Sequence, residues 1–426
     1  MNPLYPPTYY AATAASARER PAFGGTARAD VVVVGGGYTG LSAALHLAGA
    51  GAKTILLEAE RVAFAASGRN GGQIHSGQRQ DQATLEAWFG EERAQALWRS
   101  AEEANALVRA LIAEHKIPCA VTDGLIVAAH DAAAARDLRE EAEHLATKYG
   151  CAQARFLDRA ETEAAIGSSV YHGSLRDAGG GHLHPLNYAL GLAEAAEAAG
   201  VVIHEGSRVL ALEPRENGVV ARVDIGMVAA DRVILACDAF ASTLAPELAG
   251  YLAHIESYIV ATARLTEKQQ RTILPLRDAV ADTRHVLDYY RLSEDHRLLF
   301  AGGETYFAPA RDIAGLVRPH MLRVYPELAE TPIDYAWRGT VAITRSRLPH
   351  FGRLLGGRAL FAHGYSGQGV ALATLGGKLA ADAALGESEG FELYASLPAK
   401  PFPGGALLMK PLTAAALAWF KLKDAF

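Results

Sequence analysis

Cysteine is scarce. The chain of 426 residues has three, Cys119, Cys151 and Cys237, set far apart, so it offers neither a CxxC redox or zinc pair nor a disulfide framework. That counts against a nicotinamide-dependent disulfide reductase and favours a reducing compartment. No metal-binding cluster stands out. No run of ~18 apolar residues occurs, which excludes an ordinary transmembrane helix. Long blocks of like charge are missing, and a formal charge of −6 leaves no basic footprint for nucleic acid or an anionic membrane. The opening stretch MNPLYPPTYYAATAASARERP has prolines and tyrosines where a secretory signal needs a basic start and an unbroken apolar run. The expected partner is a small molecule; the expected location is cytoplasmic, at most peripheral to a membrane.

What is present is material for a large core: 50% of the residues are hydrophobic, enough for roughly two or three domains at this length. Within DVVVVGGGYTG, from Asp30, a run of valines leads into Gly35, Gly37 and Gly40 in G-x-G-x-x-G spacing, and LSAALHLAGAGA then follows with helical periodicity. The pattern predicts strand, turn and helix. A second strand, TILLE, ends on Glu58, where a carboxylate can accept hydrogen bonds from a ribose. Gly35 serves the tight turn, Gly37 close approach of the backbone to a pyrophosphate, and Gly40 close packing of helix on sheet. These features together predict a dinucleotide site.

ASGRNGGQ, Ala66 to Gln73, lacks periodicity and is expected as a loop whose glycines pass against a flat ring, with Arg69 and Asn70 free to bond phosphate or ring oxygens. Residues 85–115 and 132–149 read as amphipathic helices. GGGHLHPLNYALGLAEAAEAAG, from Gly179, reads as a turn into a further helix, and residues 207–236 as a β-meander ending on a buried strand, DRVILACDAF. Between Tyr251 and Ile343 the alternation of SYIVATARL, HVLDYYRLS and HRLLFAGGET predicts an antiparallel sheet, with one helix in DIAGLVRPHMLRVYPEL. RALFAHGYSGQG then repeats strand, glycine turn and helix. Two glycine turns at helix N-termini, more than three hundred residues apart, suit one long, partly anionic ligand held at both ends. The closing stretch PLTAAALAWFKLKDAF is an apolar helix candidate too short to span a bilayer, expected to pack on the nucleotide domain.

These segments resemble the family of FAD-dependent amine and amino-acid oxidases that includes glycine oxidase, monomeric sarcosine oxidase and D-amino-acid dehydrogenase. The likeness covers nearly the whole chain and is strongest to the branch acting on γ-glutamylputrescine, through SGRNGGQ, LDYYRLSEDHRLLFAGG, GYSGQGV and PFPGG in that order. It implies an α/β fold: a discontinuous glutathione-reductase-like, Rossmann-type FAD domain (1–118, 182–250, 338–426) and an α+β substrate domain on an antiparallel sheet (119–181, 251–337). It also implies cofactor contacts. Tyr38 and Thr39 would join the three glycines at the pyrophosphate, and Glu58 and Ala59 would lie at the ribose. Val209 would meet the adenine through its backbone. Ser67, Gly68, Arg69, Asn70, Gly71, Gly72 and Gln73 would pass the flavin's reactive edge. Gly364, Tyr365, Ser366, Gly367, Gln368, Gly369 and Val370 would bring main-chain N–H groups to flavin N1 and O2, where charge gathers on reduction. No cysteine follows Cys237, so the FAD is expected to be noncovalent.

The implied chemistry is hydride transfer from an amine carbon to flavin N5, giving an imine, then aldehyde and ammonia, with electrons passing to O2 as peroxide or to a quinone. Pocket candidates are His75, Tyr289, Tyr290, Arg291, Trp337 and Arg338. Tyr289 and Tyr290 are neighbours on a strand, so only one can face the cavity, and Arg291 is the candidate anchor for a substrate carboxylate. His182 and His184 are read as packing and helix-capping residues, and Cys237 as an inert buried thiol. Two alternatives stay open: a D-amino-acid or secondary-amine dehydrogenase feeding a quinone, and an FAD-binding protein without turnover.

Overall fold

In the computed structural model Val31, Val32, Val33 and Val34 are all buried, as a strand covered on both faces requires. Val31 and Val33 pack with helices, whereas Val32 and Val34 pack with a β-meander. Residues 5–15, 18–305, 308–405, 408–409, 411–412 and 415 are described; apart from these last positions, the closing stretch 411–426 lies outside the described residues.

Two sheets organise the chain. The first runs His350–Leu354, Ala359–His363, Gly226–Leu235, Gly25–Val34, Thr54–Leu57, Val202–His204, with Ala211–Arg215 and Gly218–Val223 completing the meander onto Gly226–Leu235. The five strands from Ala359–His363 to Val202–His204 are parallel. The helices Tyr38–Gly49 and Gly369–Leu385 pack together on one face, and Gly377 makes that possible: a Cβ there would fall 2.2 Å from Thr39 O. Pro185–Ala198 extends this layer, capped by His184, whose Nδ1 accepts from Asn187 N at 3.1 Å, with proline at the first turn.

The second sheet runs Ile333–Ile343, Ala253–Arg264, Arg297–Thr305, Tyr289–Leu292, Ala279–Asp282, Thr122–Ala128, Ser174–His182, Gln73–Ile74, with Ala154–Leu157 on Ser174–His182. All its pairings are antiparallel except that of Ala279–Asp282 with Thr122–Ala128. The helix Ile313–Val324 covers its outer face.

Three expectations need adjustment. Residues 66–73 begin as a 3-10 turn, Ala66–Gly68, and end in a strand, because Gln73 and Ile74 pair with His182 and Gly181. The glycines at 179–181 belong to that partner strand and not to a turn. The domain boundary expected at residue 338 falls inside Ile333–Ile343, all of which belongs to the second sheet through its pairing with Ala253–Arg264, so the chain returns to the first sheet only after Ile343.

Candidate functional site

The parallel strands of the first sheet end on one side, at Gly35, Glu58, Ala236 and Gly364, the place where open α/β sheets bind ligands. A cavity of about 860 Å³ opens there and continues across the inner face of the second sheet. Two helix N-termini meet it, at Gly37 and Gln368, and neither carries a side-chain cap. The two glycine turns are tied together: Thr39 Oγ1 and Tyr365 Oη lie 2.8 Å apart. Gly35 has φ +109, open to glycine and strained for other residues.

Most of the expected cofactor residues line this cavity: Gly35, Gly37, Tyr38, Thr39, Glu58, Ala59, Ser67, Val209, residues 69–73 and residues 365–370. Gly40, Gly68 and Gly364 do not. They stand behind the wall, where backbone or side chain leaves no room: a Cβ at Gly40 would lie 1.8 Å from Gly35 O and one at Gly68 2.2 Å from Ala63 O. The Glu58 carboxylate accepts from Gly36 N at 2.6 Å and Glu60 N at 2.8 Å, and burial raises its pKa. Of the polar side chains at residues 69–73, Asn70 and Gln73 are spent within the fold, and Arg69 commits its Nε alone. Asn70 spends its amide on Ala66 O, Ser67 O, Tyr38 Oη and Gly72 N, and Arg69 donates to Phe64 O. Gln73 donates to Val280 O. These bonds hold the loop, leaving its backbone and the outer nitrogens of Arg69 to meet a ligand. Cys237 also lines the cavity; burial pushes its thiol up to about 12, which keeps it protonated. Its neighbour Asp238 accepts from Gly364 N at 2.8 Å, joining a third strand end to the closing turn.

Of the pocket candidates, His75 and Tyr289 line the cavity. Tyr289 bonds Ser257 Oγ at 3.1 Å and lies against Gly71, where a Cβ would sit 2.7 Å from its ring. Burial, aided by the Arg79 charge, pushes His75 down to about 4, so at neutral pH it is an uncharged imidazole. Tyr290 faces the other way, stacked on Phe300. Arg291 is not an anchor in the cavity: it is 5% exposed, and its guanidinium serves Gly71 O, Leu183 O and Tyr10 Oη at 2.6, 2.9 and 3.2 Å. Trp337 is buried and donates to Arg69 O at 2.9 Å, and Arg338 pairs with Glu256. His182 and His184 pack at the junction of the two sheets.

Sequence reasoning missed Arg79 and Arg347. Both line the cavity; burial, then the charge of Arg347, lowers the pKa of Arg79 against the opposing charge of Glu304, and neither arginine has an ion pair among the described residues. Arg79 follows His75 by four residues and Arg347 sits in a turn at φ +64; no spacing in the sequence announces that the two converge. Among the described residues, no group of three or more His, Cys, Asp or Glu is placed to hold a metal, and no helix is long and apolar enough to cross a membrane.

The family model "FAD dependent oxidoreductase" matches residues 30–383. The chain is 39% identical over 427 residues to "Probable oxidoreductase OrdL" of Rhizobium meliloti, covering 100% of this chain and 99% of that protein. It is 39% identical over 420 residues to gamma-glutamylputrescine oxidoreductase of Escherichia coli, covering 98% of each. Among solved structures, glycine oxidase from Geobacillus kaustophilus superposes with a TM-score of 0.73 at 21% identity, over 84% of this chain and 95% of that one. The cavity suits FAD: two uncapped helix N-termini match a pyrophosphate and an electron-rich ring end, Glu58 matches a ribose, and Gln368 Oε1 is a buried acceptor without a partner.

Proposed function

The chain belongs to the FAD dependent oxidoreductase family, and from that premise we propose that it oxidises the free primary amine of γ-glutamylputrescine, or of a close relative with a carboxylate at its far end. The FAD is held noncovalently and O2 is the final acceptor. Bound FAD supplies a hydride acceptor at N5. The amine carbon gives up hydride as its nitrogen lone pair closes a C=N bond; water then releases aldehyde and ammonia, and O2 leaves with two electrons and two protons as peroxide. The lone pair must be free. A desolvated site walled by Tyr289 and Gly71 disfavours an ammonium, and the neutral His75 imidazole can accept an N–H without competing for protons.

The observation that carries the proposal is the unpaired guanidiniums of Arg79 and Arg347 in the same cavity as Tyr289. Two guanidiniums brought together in no ion pair, with the Glu304 charge acting on Arg79 only from beyond salt-bridge reach, suit a carboxylate, and a remote carboxylate lets binding energy position the reacting end. The name of the Escherichia coli relative supplies a substrate with both features. The test is to mix holoenzyme with γ-glutamylputrescine, putrescine or D-alanine, following flavin bleaching and peroxide together. Expected are bleaching and peroxide with γ-glutamylputrescine and a kcat/KM about tenfold or more above that for putrescine, the anchor being worth at least ~1.4 kcal/mol. Preference for D-alanine would give the protein to the amino-acid branch, bleaching without peroxide to a quinone-linked dehydrogenase, and no bleaching to an FAD binder without turnover.

A further inference from the structure

The cavity does not stop at the flavin side. On the second sheet Tyr289 pairs with Ala281, Ala281 with Val127, and Val127 with Leu175, so these side chains form one row on one face. With strands about 4.8 Å apart, Val127 lies roughly 10 Å beyond Tyr289. There the cavity passes under the helix Ala132–Tyr149, which turns Leu138, Glu141 and Leu145 into it at helical spacing, with Trp98 on a neighbouring wall. Leu138, Leu145 and Leu175 are part of an apolar cluster that Val127 and Trp98 pack against.

Glu141 is out of place in such a wall. Its carboxyl has no hydrogen bond or ion pair among the described residues, and the cavity charge that acts on it, Asp81, is of its own sign. Burial, with Asp81, pushes Glu141 up to about 7. A carboxylate turned onto the apolar stripe of a helix costs stability unless a cation meets it.

We propose that this branch binds an alkylammonium group, its charge against Glu141 and its aliphatic stem along Leu138, Leu145 and Val127. An ammonium fits better than a metal, which needs several converging ligands: among the described residues no group of three or more His, Cys, Asp or Glu is placed to supply them. A methylene stem matches those walls, to which Trp98 also belongs. Roughly two strand spacings from Tyr289, this nitrogen is not the one oxidised. It is either the distal ammonium of the substrate or a separate amine.

The test uses oxidised holoenzyme and tert-amylamine, a primary amine with no hydrogen on its nitrogen-bearing carbon, so that binding is read by calorimetry without turnover. Wild type should bind it saturably. Glu141→Gln, similar in shape but uncharged, should weaken binding by about tenfold or more. Leu138→Lys, which sets an ammonium one helical turn from Glu141, should abolish it while the flavin spectrum is retained. Equal binding by wild type and both variants, or no binding to wild type, would overturn the site. Kinetics separate the two sources: a raised KM for γ-glutamylputrescine in Glu141→Gln assigns the branch to the substrate's own ammonium, and an unchanged KM with tert-amylamine binding lost assigns it to a second amine. Because the binding measurement needs no oxidation, it stands even if the protein oxidises none of these amines.

Discussion

Arg79 and Arg291 show what decides the use of a guanidinium. Arg291 sits on the alternating strand Tyr289–Leu292, yet its donors end on backbone carbonyls and a tyrosine hydroxyl, leaving nothing for a ligand. Arg79, in an irregular stretch, reaches into open space beside Arg347. Under the proposed function, Arg79→Gln removes a charge-assisted bond to the substrate carboxylate. KM for γ-glutamylputrescine should rise by about 10- to 100-fold, from ~1.5–3 kcal/mol, with kcat little changed and putrescine kinetics unaffected. Steady-state assays on the two amines check this; an equal loss on both would remove Arg79 from the head-binding role.

At the scale of elements, the segment 66–73 is held from three sides. Asn70 ties it to itself and to the helix Tyr38–Gly49, Trp337 to the outermost strand of the second sheet, and Arg291 to the turn before Pro185–Ala198. The amino-terminal segment adds a fourth brace, for Tyr10 is wholly buried against Trp337, His184 and Arg291. Arg291→Lys keeps the charge and loses the fork, leaving buried carbonyls at Gly71 or Leu183 short of a donor. A cost of about 2–4 kcal/mol is expected. FAD should be lost on gel filtration and Tm should fall, while the KM of the remaining holoenzyme stays put. Flavin-to-protein ratio and kinetics together separate this positioning role from substrate binding.

For the whole molecule, the join between the two sheets is sensitive to acid. Burial, then the Arg291 charge, pushes both His182 and His184 down to about 3. Unfolded, such histidines take up protons near pH 6.5, so the stability their neutral forms contribute is present above pH 6.5 and is lost as pH falls from there toward 3. Each pH unit in that window removes up to ~1.4 kcal/mol per histidine. Melting between pH 7 and 5 should show Tm falling steeply. In His184→Asn, where the amide oxygen can still accept the Asn187 N–H as a helix cap, the slope should be shallower; an unchanged slope would place the acid-sensitive protons elsewhere.

The features legible in the sequence are those carried by local rules. Four valines followed by G-x-G-x-x-G, a carboxylate at the end of the next strand and a second glycine turn at the far end of the chain settle the nucleotide fold, since turn geometry and helix dipoles need only a few consecutive residues. Alternation on residues 289–290 likewise shows that one tyrosine, not both, faces the cavity. What tertiary structure alone decided is which polar groups are left over. Whether a guanidinium meets a carbonyl or an empty cavity depends on segments distant in the chain: Gly71 and Leu183 satisfy Arg291, while Arg79 forms no ion pair among the described residues and feels Arg347 and Glu304 across the cavity. Glu141, one charged residue among many on an amphipathic helix, is set apart only because the second sheet passes beneath it. Hydrogen-bond satisfaction is a property of the folded neighbourhood, and no sequence period encodes it.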